Sequence, residues 1–229
     1  MENSIFINKV FESSQRYVCY SDESMKSFLA VQKKKKNVLF GGDWGRCHIP
    51  EELLPQKWFF VSAVNTEIMS QLKKQFRIKE DWPCWRLVAP DGFGKGPWDE
   101  LERLEQKDAP FVARHWELQD EPVKYLRGRI KKLDSACVRV NGKPVAWGGL
   151  HFELEGVAEI GFAHTLKRYR RRGFGTLVTK AVVNRVAAHG NTAFCHAFKT
   201  NKESLGLCKK LGFTRAGEYT WAVVLRKKK

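Results

Sequence analysis

The segment Arg170-Arg171-Arg172-Gly173-Phe174-Gly175 constrains this chain more than any other. It stands between an apolar run, Val157 to Ala163, that reads as a strand and a segment from Phe174 to Ala188 whose apolar spacing reads as an amphipathic helix ended by Gly190. Two glycines one residue apart at a strand-to-helix turn let consecutive backbone N–H groups approach a ligand that side chains would otherwise keep away. The helix beginning at Phe174 adds the positive end of its dipole, and Gly175 and Thr176 lie in its first turn. A pyrophosphate fits such a cradle, with the three arginines supplying cations for further phosphate oxygens. An ordinary tight turn with a basic surface has the same composition, so the segment needs support from elsewhere in the chain.

Charge gives partial support. The formal net charge is +16, and its distribution is lopsided: Lys plus Arg against Asp plus Glu is 17 against 16 in residues 1 to 110, and 24 against 9 in residues 111 to 229. A basic second half attracts polyanions, whether nucleic acid, a membrane surface or the phosphates of a nucleotide cofactor. The runs Lys33 to Lys36 and Arg226 to Lys229 read as solvated loop or end faces. No run of about 20 apolar residues is present, and Met1 to Ser4 is polar, so the expectation is a cytoplasmic protein without a membrane span. The six cysteines, Cys19, Cys47, Cys84, Cys137, Cys195 and Cys208, form no C-x-x-C pair, which predicts reduced thiols and no structural metal.

Turn formers are densest in Pro90 to Pro97. The expected organisation is an α/β half over residues 1 to 95, a polar connector over 96 to 110, and a second domain over 111 to 229. In the first half, Val38 to Phe40 and Trp58 to Val64 read as strands, and Asn65 to Phe76 as a helix capped by Asn65 or Thr66. In the second, Asp120 is a candidate cap for a helix over Pro122 to Lys132. Ala136 to Val140 and Pro144 to Phe152 read as strands joined by the hairpin turn Asn141-Gly142. Thr192 to Phe198 reads as a strand, Asn201 to Leu211 as a short helix stopped by Gly212, and Phe213 to Leu225 as the last strand or pair. Helix, antiparallel strands, helix, strand, helix and strand describe an α/β or α+β domain around a mixed, mostly antiparallel sheet.

Arg170-x-x-Gly173-x-Gly175 resembles the Q/R-x-x-G-x-G/A pyrophosphate loop of the GNAT superfamily of acyl-CoA-dependent N-acyltransferases. Ala158-Glu159-Ile160 lies where many of those enzymes carry a carboxylate on their fourth strand, and the run from Asn201 to Phe213 is similar to their N-x-x-A-x-x-L-Y-x-K-L-G-F block. Gly142 to Trp147 and Thr165 to Arg170 look most like the glycine N-acyltransferase-like branch, whose members have an additional N-terminal half. The resemblance is specific from about Phe111 to Tyr219 and only architectural before it, where it suggests a degenerate GNAT-like fold.

It implies acetyl-CoA or another acyl-CoA as acyl donor, held by Thr165, Arg170, Arg171, Arg172, Gly173, Phe174, Gly175, Thr176 and Asn201. An attacking amine must lose a proton, and Glu159 matches the family's base, with partial burial expected to raise its pKa. Backbone N–H groups near Thr165 would stabilise the oxyanion, although Thr165-Leu166-Lys167 departs from the family's V-x-P. Cys208 stands where the family often has a tyrosine acid, and reads either as a thiol acid or as a buried small apolar residue. His164 and His196 are further strand-borne candidates for a base, and Trp44, Trp82, Trp85 and Trp98 for an aromatic pocket. The expected acceptor is a small amine or amino acid, with a protein amine as second choice. A noncatalytic module binding coenzyme A or nucleic acid is the reading from a different class. Oligomeric state and acyl length are not legible in these residues.

Overall fold

The computed structural model describes residues 8–12, 18–21, 27–32, 36–42, 49–116 and 122–227. Asp120, Trp44, Cys47, Lys33 to Lys35, Lys228 and Lys229 lie outside them. The chain forms two compact units, Met1–Trp85 with Gly217–Lys229, and Arg86–Ala216.

In the first unit, β1 (Asn8–Glu12), β2 (Val18–Ser21), β3 (Ser27–Gln32) and β4 (Asn37–Gly42) pair antiparallel in sequence order. β5 (Trp58–Asn65) joins β4 in parallel. α1 (Thr66–Gln75) starts where the Asn65 side chain accepts a 2.8 Å hydrogen bond from the Ile68 N–H. Ile68, Met69 and Leu72 of this helix are buried with Phe59, Val61 and Val64 of β5, an amphipathic helix closing over a strand. β6 (Arg77–Val88) begins in this unit and ends in the second. β11 (Thr214–Leu225) does the reverse, pairing antiparallel with β5 from Tyr219↔Asn65 to Leu225↔Trp58. The first three strands and β6 escape sequence periodicity: β6 reads RIKEDWPCWRLV, charged at one end and interrupted by Pro83.

In the second unit, β7 (Ser135–Val140), β8 (Lys143–Leu154) and β9 (Val157–Thr165) form an antiparallel meander, to which β10 (Thr192–Phe198) adds in parallel. Asn141 and Gly142, at φ 49° and 73°, make the turn that joins β7 to β8. One sheet face carries α4 (Phe174–Ala188), whose Val178, Val182 and Val186 pack on Ala146, Leu150, Ala158 and Ile160. The other face carries α2 (Ala109–Ala113) and α3 (Pro122–Lys132), where Val112 and Leu126 meet Trp147 and Phe162. Phe162 reaches that face because its φ of 37° interrupts the alternation of β9. Residues 96 to 110 lie on this unit: Leu104 is buried, and Glu102 bridges to Cys137.

Asp108 and Arg139 hold that segment in place, with Nη2 and Oδ2 at 2.6 Å and both side chains at most a tenth exposed. Burial pushes the Asp108 carboxyl up, but the hydrogen bonds from Arg139 and Glu105 outweigh it and hold the carboxyl below the usual range. Asp108 therefore adds stability above its unfolded value of about 3.9, lost as pH falls through the lower folded one. Arg139→Ala, which leaves a buried carboxylate without its partner, is expected to cost about 3 kcal/mol in urea unfolding at neutral pH and much less in acid. An equal cost at both pH values would contradict this.

Candidate active site

The described register of β10 on β9 runs only from Thr192↔Val157 to Phe194↔Glu159, whereas β9 continues to Thr165 and β10 to Phe198. Beyond Glu159 the two strands part, and β9 keeps its pairing only with β8. Backbone N–H and C=O groups on that edge have no strand to satisfy them, which suits an extended ligand. A cavity of about 750 Å³ is lined there by Ala163, His164 and Thr165 of β9, Trp147 of β8, the start of α4, and Asn201 to Leu207 leading into and along α5 (Lys202–Lys210).

At the cavity's mouth the sequence produces a helix start that no side chain caps among the described residues. Gly173 sits in the left-handed region at φ 81° and provides no side-chain cap, and the first turn of α4 contains no acidic residue. Arg171, at φ 64°, shares that conformation despite its side chain, a local strain typical of ligand clamps. A Cβ on Gly175 would lie 3.4 Å from Thr165 Oγ1 and 3.6 Å from Leu207 Cδ2, filling the space between the strand end and α5. Arg170 ties the strand end to the start of α5, donating from Nε to the Thr165 carbonyl at 3.2 Å and from Nη1 to Glu203 at 3.1 Å. Asn201 caps α5 by accepting from the Ser204 N–H at 2.9 Å, and it also faces the cavity.

Thr165, Arg170, Arg171, Gly173, Phe174, Gly175, Thr176 and Asn201 thus meet at one cavity. Arg172 is not on its wall; its guanidinium lies 5.4 Å from the Tyr169 ring centroid. Neither are Trp82, Trp85 and Trp98, and the tryptophan that does contribute is Trp147. Cys208 is buried behind Leu207, its sulfur 3.8 Å from that of Cys195. Glu159 is also off the wall, hydrogen-bonded through Oε1 to His196 Nδ1 at 2.7 Å. Arg86 Nε donates to His196 Nε2 at 3.2 Å, so the ring hydrogen belongs on Nδ1, pointing at Glu159. The expectation of a raised Glu159 pKa is not met. Burial pushes the carboxyl up, but the His196 hydrogen bond and neighbouring charges, Arg86 among them, bring it below the ordinary value. His164, which lines the cavity, stands in no motif and is marked only by its place at the strand end, while Trp147, also on the wall, closes the Gly142 to Trp147 block.

The FR47-like protein family matches residues 142–222, from the β7–β8 turn into β11. Among solved structures, a Drosophila protein aligns over 92% of this chain and 79% of its own at 18% identity, with a TM-score of 0.72. An acetyltransferase of the GNAT family from Colwellia psychrerythraea aligns over 93% and 86% at 14% identity and a TM-score of 0.59. The chain shares the fold of these GNAT proteins. A tandem GNAT protein from the clavulanic acid biosynthesis pathway is also similar, at 10% identity over 93% of this chain and 84% of its own, with a TM-score of 0.60. No helix among the described residues of this GNAT-fold chain is long and apolar enough to cross a membrane.

His196→Ala removes the hydrogen bond that opposes burial at Glu159. Carbon-13 NMR titration of the glutamate carboxyls should then show Glu159 titrating at higher pH than in the parent protein. An unchanged Glu159 titration would mean that His196 does not set it.

Proposed function

We propose that the second unit binds an acyl-coenzyme A along the open edge of β9 and transfers its acyl group to an amine. The observation that carries this reading is the uncapped start of α4, opening onto the gap between β9 and β10. The N–H groups of Phe174, Gly175 and Thr176 face no side-chain cap and suit a diphosphate, while Arg171 sits beside them for a further phosphate. Thr165 and Asn201 stand along the cavity wall where a pantetheine arm would lie, and the missing Cβ of Gly175 leaves its passage clear. Bound there, the thioester supplies an activated carbonyl carbon. To backbone N–H groups near Thr165 we assign the stabilisation of the charge that develops on its oxygen.

The wall is basic, with Arg170, Arg171, Lys202 and Lys210 against Glu203. The anionic donor accounts for that charge without a nucleic acid. A small amine or an amino acid is the acceptor class we favour, with a protein amine second. The alignment of a tandem GNAT protein over 93% of this chain supports reading the first unit as a second, degenerate GNAT-like fold. Because Cys208 is off the wall and packed against Cys195, we assign it a structural place rather than the role of acid.

Calorimetric titration with acetyl-CoA should show saturable binding, weakened about tenfold or more in Gly173→Val, whose side chain strains the φ of 81° and crowds the helix start. A panel of amines should reveal steady release of coenzyme A thiol by the parent protein, and Cys208→Ala should keep that rate within about twofold. Unaltered affinity in Gly173→Val would contradict the cradle. Binding without thiol release would favour a noncatalytic coenzyme A module.

A further inference from the structure

The acyl-transfer reading leaves the amine's proton without a destination, because Glu159 is not on the cavity wall and is engaged with His196. Of the side chains that line the cavity, Glu203 and His164 could accept a proton, and Glu203 is ion-paired with Arg170 at 3.1 Å, which leaves His164. It follows the φ break at Phe162 and pairs with Trp147 in the β8–β9 register, on the unpaired end of β9. Its ring stacks on His115, in the turn after α2, with centroids 5.1 Å apart and planes 24° from parallel, and leans on Trp147 at 5.2 Å. Two aromatic neighbours therefore fix the ring while the cavity reaches it.

We propose, resting on the acyl-transfer reading, that His164 is the catalytic base that takes the proton from the attacking amine. The amine nitrogen bonds to the thioester carbonyl carbon as the carbon–sulfur bond breaks. The nitrogen's proton passes to the His164 ring, and the same proton neutralises the departing thiolate, which restores the free imidazole. Nothing is oxidised or reduced.

The charges around the ring favour this role. Burial lowers its proton affinity, and the titratable groups that face it, His115 from the turn after α2 and Arg170 from the loop before α4, lower it further. A histidine held below its usual value of about 6.5 is unprotonated at neutral pH and ready to accept a proton. Glu159, an ionised carboxylate deeper along β9, is then a fixed charge rather than the group that meets the amine.

The test compares the parent protein with His164→Gln and Glu159→Gln in thiol release with acetyl-CoA and the best amine of a panel. His164→Gln should lower kcat/KM for the amine about 100-fold, leave the calorimetric affinity for acetyl-CoA unchanged, and remove the fall in rate on acidification through the lowered His164 value. Glu159→Gln should lose less. Independently of any acceptor, nitrogen-15 histidine spectra, assigned with His164→Gln, should show the His164 ring signals shifting when coenzyme A saturates the protein. Retained kcat/KM in His164→Gln at every pH, a larger loss in Glu159→Gln, or a His164 ring that coenzyme A does not perturb would each overturn the assignment. No thiol release by the parent protein would remove the acyl-transfer reading itself, and the base with it.

Discussion

The second unit depends on two parallel strands that stop pairing. β9 and β10 share a register for three residue pairs and then diverge, so a sheet whose backbone groups are normally all matched presents an open edge in its interior. Everything that makes a site here follows from that opening. α4 begins beside it, α5 closes its far side, and β9 lends it both a backbone edge and the side chains that follow the break at Phe162. Closing the gap would seal the helix start; without the helix start, the gap would be a defect in the sheet.

Electrostatics in this region divide by depth. At the mouth, arginines and lysines outnumber acids and are solvated, so each alone is worth little but together they draw an anion inward. Deeper, polar groups form a chain, from Arg86 to His196 and from His196 to Glu159. The Tyr125 hydroxyl and His151 Nδ1 lie 2.8 Å apart on the α2 and α3 face of the unit. His164 falls between these regimes, half-buried and facing the cavity, beside aromatic and cationic neighbours. That intermediate position is what the proposed base requires.

Much of this was legible in the residues. The Asn141-Gly142 turn, the strands on either side of it, and the helix from Phe174 to Ala188 stand where local signals place them, because glycine conformations and apolar period fix them locally. The glycine turn that opens α4 was legible for the same reason, since Gly173 adopts the left-handed conformation its residue type allows. β6 was not, since its pattern is set by neighbours distant in sequence and disguised by Pro83. The electrostatic environment of Glu159 was also hidden, because burial alone predicts a raised pKa and His196, which reverses it, lies 37 positions away on another strand. The role of Trp147 on the cavity wall was hidden too, as register decides which strand residues share a face and one φ break changes that assignment.

The central claim is that backbone amides at the start of α4 grip a diphosphate. A crystal structure of the protein with coenzyme A tests it most directly. The account predicts electron density for the two phosphates within hydrogen-bond distance of the amides of Phe174, Gly175 and Thr176, with the pantetheine running between Thr165 and Leu207. Density for the cofactor elsewhere on the basic surface, or a start of α4 that stays bare at saturation, would contradict it.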